Sequence, residues 1–272
     1  MDYQEIKAWT KIPQLKKLLD LTTSPKHLYF NGTLDFSIFE NCTGVVGSRR
    51  MTDYGSRVID KIIPQIVAQK QTVVSGFMYG VDQYAHRVCI ESGGKTIAVL
   101  GWGIDTILTG EDLKLAKKII DCGGLLLSEW ETQKPTHWTF PSRNRIVAAL
   151  SKQVIVVEAA ENSGSLITAR LALGLKRELW AIPGPITSRT SIGTNKLIAS
   201  GRAKMYLTGD IKPLSDQADP ILSILDNESL TTDEISRKLK QPVFEVGAQL
   251  SLLLLSGQIL EKGGKYYIND AS

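Results

Sequence analysis

The sequence predicts an α/β protein: a doubly wound parallel sheet followed by a small second domain. Three observations carry this. Short apolar runs without polar alternation recur six times between residues 43 and 184, and an amphipathic stretch of helical length separates each from the next. Turns rich in glycine and serine join most runs to the stretch that follows. Strands that are apolar on both faces belong to parallel sheets covered by helices on each side.

The elements follow in order. "TGVVG" (43–47) reads as a strand and "TDYGSRVIDKIIPQIVAQK" (52–70) as a helix. "TVVSG" (72–76) and "VDQYAHRVCIES" (81–92) repeat the pair, as do "TIAVLG" (96–101) and "EDLKLAKKIID" (111–121). "LLLSE" (125–129) leads into "RNRIVAALS" (143–151), and "QVIVVEAA" (153–160) into "SLITARLALGLKR" (165–177). "ELWAIPG" (178–184) is the last clear strand. The result is a Rossmann-like core.

The 272 residues, 43% of them hydrophobic and 22% charged, allow one large core and a satellite and argue against a disordered chain. The apolar runs stop near ten residues, too short for a membrane span, and the start lacks the pattern of a secretory leader. Cys42, Cys89 and Cys122 are odd in number and far apart, which suits reduced thiols in a cytoplasmic protein. The three histidines have no ligand spacing, so neither a metal nor another cofactor is expected. The net charge of +4 is unevenly divided. Residues 216–272 carry five Lys and Arg against nine Asp and Glu, leaving 27 against 19 in the first 215. A polyanion would favour the first part.

In a doubly wound sheet, ligands sit outside the carboxyl ends of the strands. The loops there are "GSRRM" (47–51), "SGFMYG" (75–80), "GWGID" (101–105), "EWETQKPTHWTFPS" (129–142), "AENSGS" (160–165) and "PGPITSRTSIGTN" (183–195). Three offer Gly-Ser turns whose free N–H groups suit an anion: Gly47-Ser48, Ser75-Gly76 and Ser163-Gly164-Ser165. Helix capping alone explains any one of them. Three together, beside Arg49, Arg50, Arg143 and Arg145, favour anion binding. Trp138 and Phe140 interleave with these arginines, as single-stranded nucleic acid requires: rings for bases, guanidiniums for phosphates. Both rings could instead plug the domain, but Pro141 is expected to hold Phe140 out of regular structure.

Other chemistry is poorly served. "GGKT" (93–96) lacks the first glycine of a P-loop and precedes a strand, though Lys95 remains a candidate phosphate contact. The first turn, G-V-V-G-S-R, departs from the dinucleotide fingerprint, and the second strand ends in Ser75 where an acidic residue would hold a ribose. Glu129 and Glu158 end strands at the cleft; they could form a catalytic pair, or hold loop backbone and orient an arginine.

Taken together, "GVVGSRRMTDYG" (44–55), "VVSGFMYGVDQYAH" (73–86), "GGKTIAVLGWGID" (93–105), "LLSE" (126–129), "FPSRNRIVAALSKQVIVVEAAENSGSLITARLAL" (140–173) and "AIPGPITSRTSIGTNKLIASGRAK" (181–204) resemble the DNA-processing protein A family, also called DprA or Smf. The resemblance implies a non-enzymatic, dimeric protein. It would bind single-stranded DNA on an extended Rossmann domain and help load the RecA recombinase, notably in natural transformation. It makes Arg49 the leading phosphate ligand and groups Phe140, Arg143, Asn144 and Arg145 in the same pocket. Two departures stand out. Tyr79 occupies a segment where the family usually has Arg or Lys. "ILTGED" (107–112) replaces the usual Tyr-Pro, which would reshape that rim. A second reading, a nucleotide-processing enzyme like the nucleoside-monophosphate phosphoribohydrolases, would need P-G-G-x-G-T-x-x-E where this chain has "AENSGSLITAR".

The domains expected are a short helical extension at 1–40, the Rossmann-like DNA-binding domain at 41–212 and a winged helix at 217–270. Three helices and a hairpin in the acidic tail give the last. Its candidate recognition helix, 243–255, has no Lys or Arg and carries Glu245, which points to a protein contact or a regulatory lid more than to a groove reader.

Overall fold

A computed structural model describes residues 2–207, 220–225, 228–255 and 258–269. The chain divides into two compact units, Met1–Leu214 and Ser215–Ser272.

The first unit opens with β1 (Gln4–Glu5) and 3-10 turns at Trp9–Lys11 and Pro13–Asp20, then β2 (Tyr29–Asn31) and another 3-10 turn, Phe36–Phe39. The repeating units follow: β3 (Cys42–Val46), α1 (Asp53–Ala68), β4 (Thr72–Ser75), α2 (Val81–Glu91), β5 (Thr96–Val99), α3 (Gly110–Asp121), β6 (Leu125–Ser128), α4 (Thr139–Leu150), β7 (Gln153–Val156), α5 (Ser165–Gly174), β8 (Glu178–Ala181), α6 (Ile192–Ala199) and β9 (Lys204–Met205). The sheet runs β1-β2-β6-β5-β4-β3-β7-β8-β9. From β6 to β9 every pairing is parallel, while β2 joins β6, and β1 joins β2, antiparallel.

Alternation along each strand divides the core. Val46, Val74, Val154 and Val156 face one side and pack with α4, α5 and the N-terminal segment. Val45, Val73, Ile155 and Val157 face the other, against Ile59, Ile62, Ile63 and Ile66 of α1 and Val81, Ala85 and Val88 of α2. All residues of β3 to β7 are buried, as an interior parallel strand requires.

The N-terminal extension departs from expectation: it is built of 3-10 turns and two strands, with no α-helix. Leu15 and Leu18 are completely buried three residues apart. That is the 3-10 repeat, which stacks both side chains over the sheet within one short segment. Two further elements fall outside the expected list. Helix α6 lies in glycine- and threonine-rich sequence, and β9 has only two residues, both exposed, leaving no apolar run to detect.

The second unit contains α7 (Pro220–Leu225), α8 (Thr232–Leu239), α9 (Val243–Leu255) and the hairpin β10 (Ile259–Lys262) and β11 (Lys265–Ile268). This order is that of a winged helix. Thr231 and Glu234 form a reciprocal capping box at the start of α8. The bridge between Leu230 and Tyr266 ties the helices to the hairpin. Ile221, Leu225, Ile235, Val246 and Leu250 form the core. Phe244 and Leu252 of α9 are 75% and 67% exposed, beside the exposed polar residues Glu245, Gln249 and Ser251.

Candidate nucleic-acid interface

The strand order reverses at β3, which has β4 on one side and β7 on the other. The loops after β3 and β7 therefore diverge and leave a crevice between them. A cleft of about 750 Å³ occupies this position. Its lining includes Gly47, Ser48, Arg49 and Arg50 from the first loop and Ser163, Gly164 and Ser165 from the second. Phe140, Arg143 and Asn144 of α4 complete it, with Met78, Asp82, His137 and Arg189. Two of the anticipated Gly-Ser turns thus converge on one cavity.

Each loop is held by its own hydroxyls. Ser48 is buried and its Oγ accepts a hydrogen bond from the Arg50 N–H at 3.0 Å. Ser163 Oγ lies 2.8 Å from Ser165 Oγ and 3.4 Å from the Ser165 N–H. Asn144 Nδ2 donates to the Gly164 carbonyl at 3.3 Å, joining α4 to the second loop. The Arg49 guanidinium stands 5.2 Å from the centre of the Phe140 ring. Phe140 in turn meets Trp102 edge-on at 6.2 Å, and Trp102 meets the buried Phe77 at 6.3 Å. This aromatic ladder positions Arg49, while Arg49 and Arg50 both remain exposed.

Phe140 is not outside regular structure, as Pro141 had suggested. Helix α4 begins at Thr139 and contains both residues. A proline in the first turn is tolerated because its missing N–H would have no helical partner there.

Four other candidates lie elsewhere. Ser75 is completely buried and its hydroxyl donates to the Val45 carbonyl at 2.6 Å. Gly76 lies beneath the cleft, where a Cβ would run into the Asp82 carboxyl and both terminal nitrogens of Arg143. Lys95 stands before β5, on the opposite edge of the sheet, with its ammonium 3.5 Å from Asp35. Only residues that follow a strand reach the carboxyl edge. Arg145 is two positions beyond Arg143 on α4, roughly 200° around the helix. It turns to a separate cavity shared with Asp20 and Arg170 and pairs with Glu129 at 2.5 Å.

Arg143 itself is part of the floor. It is 2% exposed and donates from Nη1 to the Val99 carbonyl and from Nε to Asn144 Oδ1 at 3.2 Å. Asp82 lies next to it, in the first turn of α2. Burial raises the Asp82 carboxyl to about 6, against the opposing attraction of Arg143. Burial likewise lowers Arg143 to about 10, which leaves it charged. His86 is completely buried; its Nε2 lies 2.6 Å from the Gly76 carbonyl and its Nδ1 2.7 Å from Thr96 Oγ1. Burial takes its pKa down to about 4, so the ring is neutral and supports the loop above it.

The two strand-end carboxylates hold structure. Glu158 accepts from the Thr52 N–H at 2.9 Å, from Thr52 Oγ1 at 2.6 Å and from Thr190 Oγ1 at 3.1 Å, tying the loop after β3 to the loop after β8. Glu129 orients Arg145, and burial raises its pKa.

The sequence model of the family described as "DNA recombination-mediator protein A" matches residues 8–215. The chain belongs to this family. The DprA winged helix domain matches residues 208–265. Among relatives of this mediator chain, protein Smf of Escherichia coli is 34% identical over 92% of the chain and 73% of the relative. The DNA processing protein DprA of Streptococcus pneumoniae is 38% identical over 71% of the chain and 67% of the relative. The X-ray structure of the S. pneumoniae protein matches with a TM-score of 0.64 at 36% identity, covering 71% of this chain and 67% of that one. A structure of DNA processing protein A from Helicobacter pylori, described for its single-stranded DNA binding mode, matches with a TM-score of 0.66. Its identity is 30%, over 75% of this chain and 91% of that one.

Within this mediator fold, the cleft also takes Met78, Asp82, His137 and Arg189, which stood outside the candidate residues. Asp82 had a signal, an acidic residue in the first turn of a helix, but also a bland explanation in the helix dipole. Met78 and Arg189 sit in loops of the expected edge without a local pattern to single them out.

Proposed function

We propose that this recombination mediator binds single-stranded DNA in the cleft between the loops after β3 and β7. One observation carries the reading: exposed Arg49, with no carboxylate pairing it among the described residues, stands on Phe140 over two converging Gly-Ser turns. The guanidinium takes a phosphate beside the two Gly-Ser turns, and Phe140 offers a face to a base. The single-stranded DNA binding mode described for the similar H. pylori protein supports the same ligand.

The protein acts by binding and delivering the strand, without a catalytic step of its own. Glu158 and Glu129 are engaged in structural contacts, which weighs against the nucleotide-processing alternative. The further steps are protection of the strand, self-association as a dimer and hand-over to RecA in the cytoplasm, as in natural transformation. No helix among the described residues is long and apolar enough to cross a membrane.

The test is a strand-exchange assay with RecA on DNA precoated with single-strand-binding protein. Addition of this protein should shorten the lag before exchange, and Arg49→Glu should not. A lag unchanged by the wild-type protein would refute the loading role.

A further inference from the structure

Two arginines of the cleft stand on segments tied to one buried carboxylate. Arg50 comes from the loop after β3 and Arg189 from the loop after β8; both line the cleft and both are exposed. Strand β7 lies between β3 and β8, so these two loops flank the one that carries the Ser163-Gly164-Ser165 turn.

Glu158, two residues past β7, is 2% exposed and joins the flanking loops. Its Oε1 accepts from the Thr52 hydroxyl at 2.6 Å and from the Thr190 hydroxyl at 3.1 Å, while Oε2 accepts from the Thr52 N–H at 2.9 Å. Thr52 follows Arg50 by two residues, and Thr190 is next to Arg189. A single carboxylate oxygen thus sets the spacing of the two arginine-bearing segments. Backbone bonds brace each of them. The Ala159 N–H donates to the Thr190 carbonyl at 2.7 Å, and the Arg50 N–H donates to Ser48 Oγ at 3.0 Å. Gly55 leaves the space that the carboxylate fills: a Cβ there would stand 2.7 Å from Oε2.

This arrangement places like charges in one cleft without a counterion. Among the described residues, no hydrogen bond or ion pair engages the guanidinium of Arg50 or of Arg189. The other carboxylates of the cleft are engaged elsewhere: Glu161 pairs with Lys196, and Asp82 is buried beside Arg143. Neighbouring guanidiniums repel one another until an anion joins them, and the arginine fork matches the oxygens of a phosphate.

We infer that Arg50 and Arg189 together form a second phosphate seat for the strand, and that Glu158 is the positioning residue that sets its span. Glu158 acts through Thr52 and Thr190 and does not touch the strand. The inference rests on the cleft being the strand-binding site, and it brings the loop after β8 into the binding surface.

The test is anisotropy of a fluorescent oligo-dT strand titrated with the full chain over a range of salt. Arg50→Gln and Arg189→Gln should each weaken binding about tenfold, the value of one charge-assisted hydrogen bond, and each should flatten the dependence on salt. The double variant should lose less than the product of the two single losses, because both guanidiniums serve one phosphate. Thr190→Val removes the hydroxyl that Glu158 holds and no charge. It should nevertheless weaken binding and flatten the salt slope, and Thr190→Ser, which keeps the hydroxyl, should restore both. Arg50 and Arg189 are exposed, and unchanged thermal melting separates lost binding from lost folding. Arginine variants with wild-type affinity and slope would overturn the seat; a loss that persists in Arg49→Glu would then leave the cleft reading standing. Single losses that multiply in the double variant would assign the two arginines to separate phosphates and overturn the shared seat. Wild-type binding by Thr190→Val would remove the positioning role of Glu158. A wild-type protein that binds no oligo-dT removes the cleft reading as well.

Discussion

Arg49→Glu should reduce affinity for single-stranded DNA about 10- to 100-fold and leave the folded state unchanged. Arg49 is exposed and its guanidinium lies over the face of Phe140, so little stability depends on it. A charge-assisted hydrogen bond contributes about 1.5–3 kcal/mol, which corresponds to that range of affinity. The replacement also brings a carboxylate into a cleft where Asp82 already lies. A titration at several salt concentrations should show the slope reduced by about one phosphate. Unchanged affinity with an unchanged slope would place the phosphate site elsewhere.

Arg143→Met should act in the opposite manner, on stability. The guanidinium is buried, holds the Val99 carbonyl and neutralises Asp82. Removing one member of a buried pair strands the other, at about 3–5 kcal/mol. The loss should depend on pH, with a definite sign. The Asp82 carboxyl has a raised pKa in the folded state, so folding binds a proton between the unfolded value of 3.8 and the folded value of about 6. Its contribution to stability is fully present below the unfolded value and is lost as pH rises through the folded one. Without Arg143 the folded pKa climbs further, so the variant should be weakest near neutral pH and recover toward pH 4. Adding Asp82→Asn should restore part of the loss at pH 7. Urea unfolding of the three proteins at pH 5 and pH 7 measures this. A loss below about 1 kcal/mol at pH 7, or one independent of pH, would mean that the pair does not couple.

These two arginines show how far the sequence could be read. The strand series was legible because β3 to β7 are buried on both faces and so appear as unbroken apolar runs. The edge that holds the candidate cleft followed from topology alone. What the sequence could not separate was arginine from arginine. Arg49, Arg143 and Arg145 all lie in glycine- or aromatic-rich surroundings, yet one faces the cleft, one forms its floor and one turns away. Helical phase separates the last two, and α4 begins four residues before the expected start, at Thr139. Lys95 was kept as a candidate although its glycine pair precedes a strand, and that position puts it at the opposite edge of the sheet. The N-terminal 3-10 turns and β9 were hidden because such short elements leave little periodicity. The acidic winged helix, in contrast, was readable from its three helices and hairpin.

The most direct measurement is fluorescence anisotropy of a labelled oligo-dT strand titrated with the wild-type protein, against a duplex of equal length, at low and moderate salt. The cleft geometry predicts tighter binding to the single strand, with affinity that falls steeply as salt rises. Equal affinity for both forms, or no binding to either, would contradict single-strand recognition and leave the cleft to a smaller anion.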